Sequence, residues 1–368
     1  MQILNKSIIY ENPLPQLRSC HSLFPYSCEC ADGSILASFT LGQAFESVDH
    51  TTYLARSTDG GLSFSKPFRM FEASHYKPDF TESCKVTRLP DGRLAALGYA
   101  FDRSDSEKPV GNPETGGLLD DVVFISYSSD NGQSWTPWDL INTRWGPHVE
   151  ASAWLTVLQS GSWVSPVTGF KSWDGTSTGR NCGRLIRSDD SGKTWSDEAV
   201  CMQFEDEEIS CYEQRLCQLD SGRIVCIGWN EHLKNGTLFH NHFTISDDDG
   251  RTFSDPMSTG ILGQASSVCS AGGETLLALH AIRRDSERPG VYAYHVDLSN
   301  GRWDILDEKV IWEPEQPIIA NKRMAQTFAF LKFGQPGALR LSDGRFLITY
   351  WQEKDGQFVT VAMRLSLD

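Results

Sequence analysis

Three glutamates, Glu82, Glu150 and Glu213, each stand about ten residues ahead of a turn glycine, at Gly92, Gly161 and Gly222. Two carboxyl groups facing each other across a sugar can donate and accept the protons needed to break a glycosidic bond, so all three are candidate catalytic residues. Cations, imidazoles and an indole fall at matching places in the chain. Arg18 and His21 precede Gly33, His148 precedes Gly161 and Gln335 precedes Gly344, while Glu46, Arg103, Trp229 and Arg283 follow the apolar runs that come after such turns. Guanidinium groups bind carboxylates or hydroxyls, and an indole stacks on a pyranose face, so these eight are candidate substrate-binding residues. Taken singly, each is more simply a solvated loop side chain. Their recurrence at equivalent places of a repeat is what favours the functional reading.

The repeat sets those places. Ser57–Phe64, Ser128–Trp135, Ser188–Trp195 and Ser246–Phe253 all follow the pattern Ser-x-Asp-x-Gly-x-Ser/Thr-aromatic. In such a box the Asp accepts backbone N–H groups, the Gly supplies a positive φ, and the aromatic starts the next strand. Between the boxes come six short hairpins, at Asp32-Gly33, Asp91-Gly92, Ser160-Gly161, Ser221-Gly222, Gly272-Gly273 and Asp343-Gly344, each followed by an apolar run of strand length. Gly33 to Gly61 and Gly222 to Gly250 are both 28 residues. The same step from Gly273 predicts a turn at Gly301, a degenerate box without its Asp.

The pattern predicts an all-β chain: one domain over residues 1–368, a six-bladed β-propeller of four-stranded antiparallel blades. The last unit runs out after three strands, around a hairpin at Asp355-Gly356, and Ile3–Tyr10 is expected to supply its outer strand and close the ring. The box and hairpin turns are short and share one face. The longer connections surround the other mouth, where a site on a rigid scaffold is expected. The box Asp residues are therefore structural rather than catalytic.

A net charge of −15 argues against nucleic acid and anionic membranes as partners. No signal-peptide core, membrane-length apolar run or phosphate-cradling Gly loop is present. Ten cysteines without metal spacing read as free thiols, and the expected location is cytoplasmic. His240 and His242 share a strand face but lack a third ligand, so neither metal nor cofactor is expected. The oligomeric state is not readable.

The boxes and the six-fold plan resemble the sialidase (neuraminidase) superfamily, and the stretch from His21 to Gly61 resembles its BNR-repeat, Asp-box branch. The resemblance implies an arginine triad for a substrate carboxylate, an Asp acid/base, and a Tyr nucleophile assisted by Glu. On this sequence Glu213 falls at the assisting Glu, Arg283 and Arg18 at two triad positions, and Glu82 at the acid/base. Trp229-Asn230 stands where a triad Arg is implied, and Gln335 where the Tyr is implied. Tyr212 adjoins Glu213 and, by strand alternation, is expected to face away from it. Glu231 reads as a loop charge. The favoured function is a glycoside hydrolase acting on a terminal acidic sugar, with Glu82 as acid and Glu213 or Glu150 opposite. The alternatives are a lyase or epimerase on a uronic acid, with His21 or His148 taking the proton, and a non-catalytic glycan-binding propeller.

Overall fold

A computed structural model describes residues 1–72, 79–284, 286–315 and 331–368. Six antiparallel sheets surround a common axis. Blade one pairs His21–Glu29, Ile35–Gly42, Thr51–Ser57 and Phe68–Arg69; blade two pairs Phe80–Arg88, Leu94–Asp102, Asp121–Ser128 and Asp139–Ile141. In blade three the inner strand is split into Val149–Glu150 and Thr156–Val157. Both pieces pair with Trp163–Gly169, and Gly183–Ser188 and Val200–Met202 complete the sheet. Blades four and five follow the regular order over Tyr212–Ser258 and Ser266–Trp312.

Blade six takes Phe333–Arg340, Phe346–Lys354 and Gln357–Ser366 from the end of the chain and Gln2–Tyr10 from its beginning, which pairs antiparallel with Gln357–Ser366. Gln2–Tyr10 covers the edge that Gln357–Ser366 would otherwise expose and becomes the outer strand of the blade. Asp355 and Gly356, at φ 52° and 76°, make the two-residue hairpin between the last two C-terminal strands. A turn also falls at Gly301, whose amide donates to the Leu298 carbonyl. Ala278 and Phe243 are among the apolar side chains that fill the layers between blades.

Each box is a strand-to-strand turn fastened to the blade before it. In the second box, Asp130 Oδ1 accepts the amides of Gln133 and Ser134 at 3.0 and 2.9 Å, and Ser128 Oγ accepts the Gly132 amide at 2.8 Å. Gly132 sits at φ 84°, and a Cβ there would come within 2.6 Å of the Leu36 side chain of blade one. The other boxes repeat these bonds around Asp59, Asp190 and Asp248. Bonding to donors holds the carboxyls of all four Asp residues down at about 2, against the opposing effect of burial where it is felt.

Candidate active site

The long connections ring a cavity of about 680 Å³ at the opposite mouth. Its position follows from the first strand of each blade. Glu213 and Gln335 lie nine residues before Gly222 and Gly344 and adopt left-handed backbone, at φ 44° and 40°; Phe24 does the same before Gly33, at φ 54°. Each sits at a β-bulge, between Tyr212 and Arg215, Gly334 and Gly337, and Leu23 and Tyr26. Non-glycine residues in this conformation carry strain that the surrounding fold must over-determine. A bulge re-aims a side chain, here at the inner ends of strands facing the mouth. The bulge also breaks strand alternation, so Tyr212 lines the cavity beside Glu213 instead of facing away from it.

Of the candidates from sequence, Glu46, Glu82, Arg103, Glu150, Glu213, Trp229 and Gln335 line the cavity. Four others do not. Arg18 is exposed in the loop before blade one. His21 Nδ1 accepts the Phe358 amide at 3.1 Å, fastening blade one to blade six, and burial lowers its pKa. His148 is buried 3.7 Å from Asp120. Neither imidazole is therefore placed to take a proton in the cavity. Arg283 is buried against Gly334, the neighbour of Gln335, where an added Cβ would collide with its guanidinium. Among the described residues, none of its three buried side-chain nitrogens has a hydrogen-bond partner, and burial pulls its pKa down to about 10.

The carboxyl groups are held differently. Glu82, 3% exposed, is pushed up to about 7 by burial, although Thr51 Oγ1 and the Thr52 amide, the latter at 3.1 Å, both donate to it. Glu150 is also pushed up to about 7, first by burial and then by Glu213, whose amide approaches Glu150 Oε2 at 3.3 Å; Ser152 Oγ donates to its other oxygen. Glu213 is braced on both oxygens. Trp229 Nε1 donates to Oε2 at 2.7 Å and Gln335 Nε2 to Oε1 at 3.1 Å, while Gln335 Oε1 in turn accepts Trp351 Nε1 at 2.5 Å. Burial raises Glu46 as well, against the pull of the Val110 amide and Arg103.

Several lining residues went unread in the sequence. Lys85 and Arg215 lie seven residues before Gly92 and Gly222, the register that also carries Tyr26 and Trp154. That register was the signal that could have found them. Tyr99 also lines the wall, and burial raises its pKa. Glu231, expected as a solvated loop charge, is buried and paired with Arg284 at 2.7 Å. On the far wall Arg103 donates to the Lys108 carbonyl, and the connection beyond it folds back through a Gly111–Leu118 bridge and leans on Ser172 of blade three.

The fold is sialidase-like. No protein-family model matches the sequence, and no curated protein sequence matches it. Among solved structures, a protein of unknown function from Dyadobacter fermentans superposes with a TM-score of 0.77 at 17% identity, covering 100% of this chain and 99% of the other. The intramolecular trans-sialidase from Ruminococcus gnavus, in complex with oseltamivir carboxylate, gives 0.67 at 12% identity, with 95% of each chain covered. The NanB sialidase from Streptococcus pneumoniae, as its K499G mutant, gives 0.65 at 12% identity over 98% of this chain and 70% of the other.

Proposed function

We propose that this chain is a glycoside hydrolase that removes a terminal, carboxylate-bearing sugar. The proposal rests above all on Glu82 and Glu150. Two carboxyls held at about 7 in one cavity are poised to exchange protons near neutral pH. Glu82, on blade two, protonates the leaving glycosidic oxygen. The Glu150–Glu213 pair, on blades three and four, takes the proton from the water that adds to the anomeric carbon. Gln335 occupies the place where the sialidase resemblance implies a tyrosine, and an amide cannot act as the covalent nucleophile. A carboxyl-based mechanism is thereby favoured over a tyrosine-based one.

Arg103, which lines the cavity with its Nε buried and, among the described residues, without a hydrogen-bond partner, is the feature that favours an acidic sugar, because a cation with unmet donors is matched by a carboxylate. The folded-back connection at 103–120 walls off one side of the cavity, which suits a chain end better than a chain interior. The experiment is a panel of aryl sialosides, uronides and neutral aryl glycosides. Release of aglycone from an acidic member is expected, and Glu82→Gln should lower kcat/KM by about 10²–10⁴-fold. Full activity in Glu82→Gln would contradict the acid assignment. The second reading, glycan binding without turnover, draws on Gln335; saturable binding across the panel with no release would establish it.

A further inference from the structure

The floor of the cavity holds two cations that the hydrolytic reading does not use. Tyr26 of blade one and Trp154 of blade three stack across the hub, with ring centroids 4.4 Å apart and planes at 8°. The Arg215 guanidinium lies 5.8 Å over the Trp154 ring. Lys85, 7% exposed, donates to the Phe24 carbonyl, the carbonyl of a residue in left-handed backbone. Both cations line the cavity, and among the described residues neither forms an ion pair. The single hydrogen bond to Phe24 leaves donor capacity on the Lys85 nitrogen, and Glu213, a carboxylate that acts on it electrostatically, is already committed to Trp229 and Gln335.

Glu213 acts on Lys85 and Glu150 on Arg215 only beyond ion-pair distance, so both cations keep donors that no carboxylate occupies and that an anion can meet when the site is filled. We propose that Lys85 and Arg215 form a separate anion-binding subsite at the hub, which takes a sulfate ester or second carboxylate of the ligand. The proposal deepens the hydrolase reading, because the favoured substrate becomes a sugar with two anionic groups, one toward Arg103 and one toward the hub. Arg215 and Glu213 are the ionisable groups of other blades that act on Lys85, and Cys84 adjoins it. Burial, reinforced by Arg215, lowers the Lys85 pKa to about 7, so the ammonium form that an anion needs is populated below neutral pH and lost above it.

The test is calorimetric titration of the full chain with sodium sulfate at pH 6 and pH 8. Sulfate should bind at pH 6, and Lys85→Met should weaken it at least tenfold. Lys85→Arg should keep binding and flatten its decline toward pH 8, a response that a merely structural lysine would not give. Arg283→Met should leave sulfate binding intact. Lys85→Met removes a buried charge that has no ion-pair partner among the described residues and is expected to fold at least as stably as the parent, which a thermal melt checks. Unchanged sulfate affinity in Lys85→Met, loss of binding in Arg283→Met, or no sulfate binding at pH 6 would each overturn the subsite. Sulfate binding at Lys85 without turnover of any glycoside would instead sink the hydrolase reading and leave the subsite standing.

Discussion

Gln335 Nε2 donates to Glu213 Oε1 at 3.1 Å, joining blade six to blade four across the cavity mouth, and both residues hold left-handed backbone at their bulges. The bond fixes Glu213 from one side while Trp229 fixes it from the other. Gln335→Leu leaves Trp351 Nε1 without its acceptor and releases one Glu213 oxygen. A stability loss of about 1–3 kcal/mol is expected in denaturant titrations, together with a lower kcat on the acidic glycoside.

The pH profile of kcat/KM should fall on its alkaline side through about pH 7. Glu82 must be protonated to act as acid, and burial holds it near that value. Glu82→Gln should remove this limb along with most of the activity. A limb that survives unchanged in Glu82→Gln would point to Glu150 as the acid.

Stability should carry the same signature independently of turnover. Glu82 and Glu150 have folded pKa values raised from 4.5 to about 7, so the folded state binds more protons than the unfolded chain between these values. Their contribution is fully present below about pH 4.5 and is lost as pH rises through about 7, on the order of a few kcal/mol for the two together. Glu82→Gln/Glu150→Gln should therefore flatten the pH dependence of the melting temperature between pH 5 and 8, as measured by calorimetry.

Arg283→Met separates stability from function. Among the described residues the guanidinium has no hydrogen-bond partner for any of its three nitrogens, so its removal should raise stability by about 1–3 kcal/mol. Binding of a monoanionic sugar should be unchanged, since Arg283 lies outside the cavity lining. A destabilised variant, or one with weakened sugar affinity, would contradict this placement.

Asp248→Ala acts at the other face. It removes the acceptor for the Arg251 and Thr252 amides in the fourth box. A lower melting temperature with unchanged kcat/KM is expected, since the box turns lie away from the cavity.

The fold was legible because its signals are local. Asp130, Gly132 and their counterparts specify turns by hydrogen bonding and φ, and the 28-residue step reached Gly301 even where the Asp is missing. The cavity carboxyls were legible for the same reason, since their distance from the hairpin glycines marks the inner strand. What escaped depends on bulges and burial. Alternation put Tyr212 on the wrong face because a left-handed residue next to it resets the register. His21 looked like a base but accepts the Phe358 amide, and Glu231 looked solvated but pairs with a buried arginine. Lys85 and Arg215 went unread because their meaning lies in the Tyr26–Trp154 stack across non-adjacent blades.

A crystal structure of Glu82→Gln soaked with an acidic aryl glycoside tests the central claim most directly. The predicted result is a sugar ring between residue 82 and the Glu150–Glu213 pair, with its carboxylate on Arg103. A ring bound outside this cavity, or bound there with its carboxylate turned to solvent, would contradict the account.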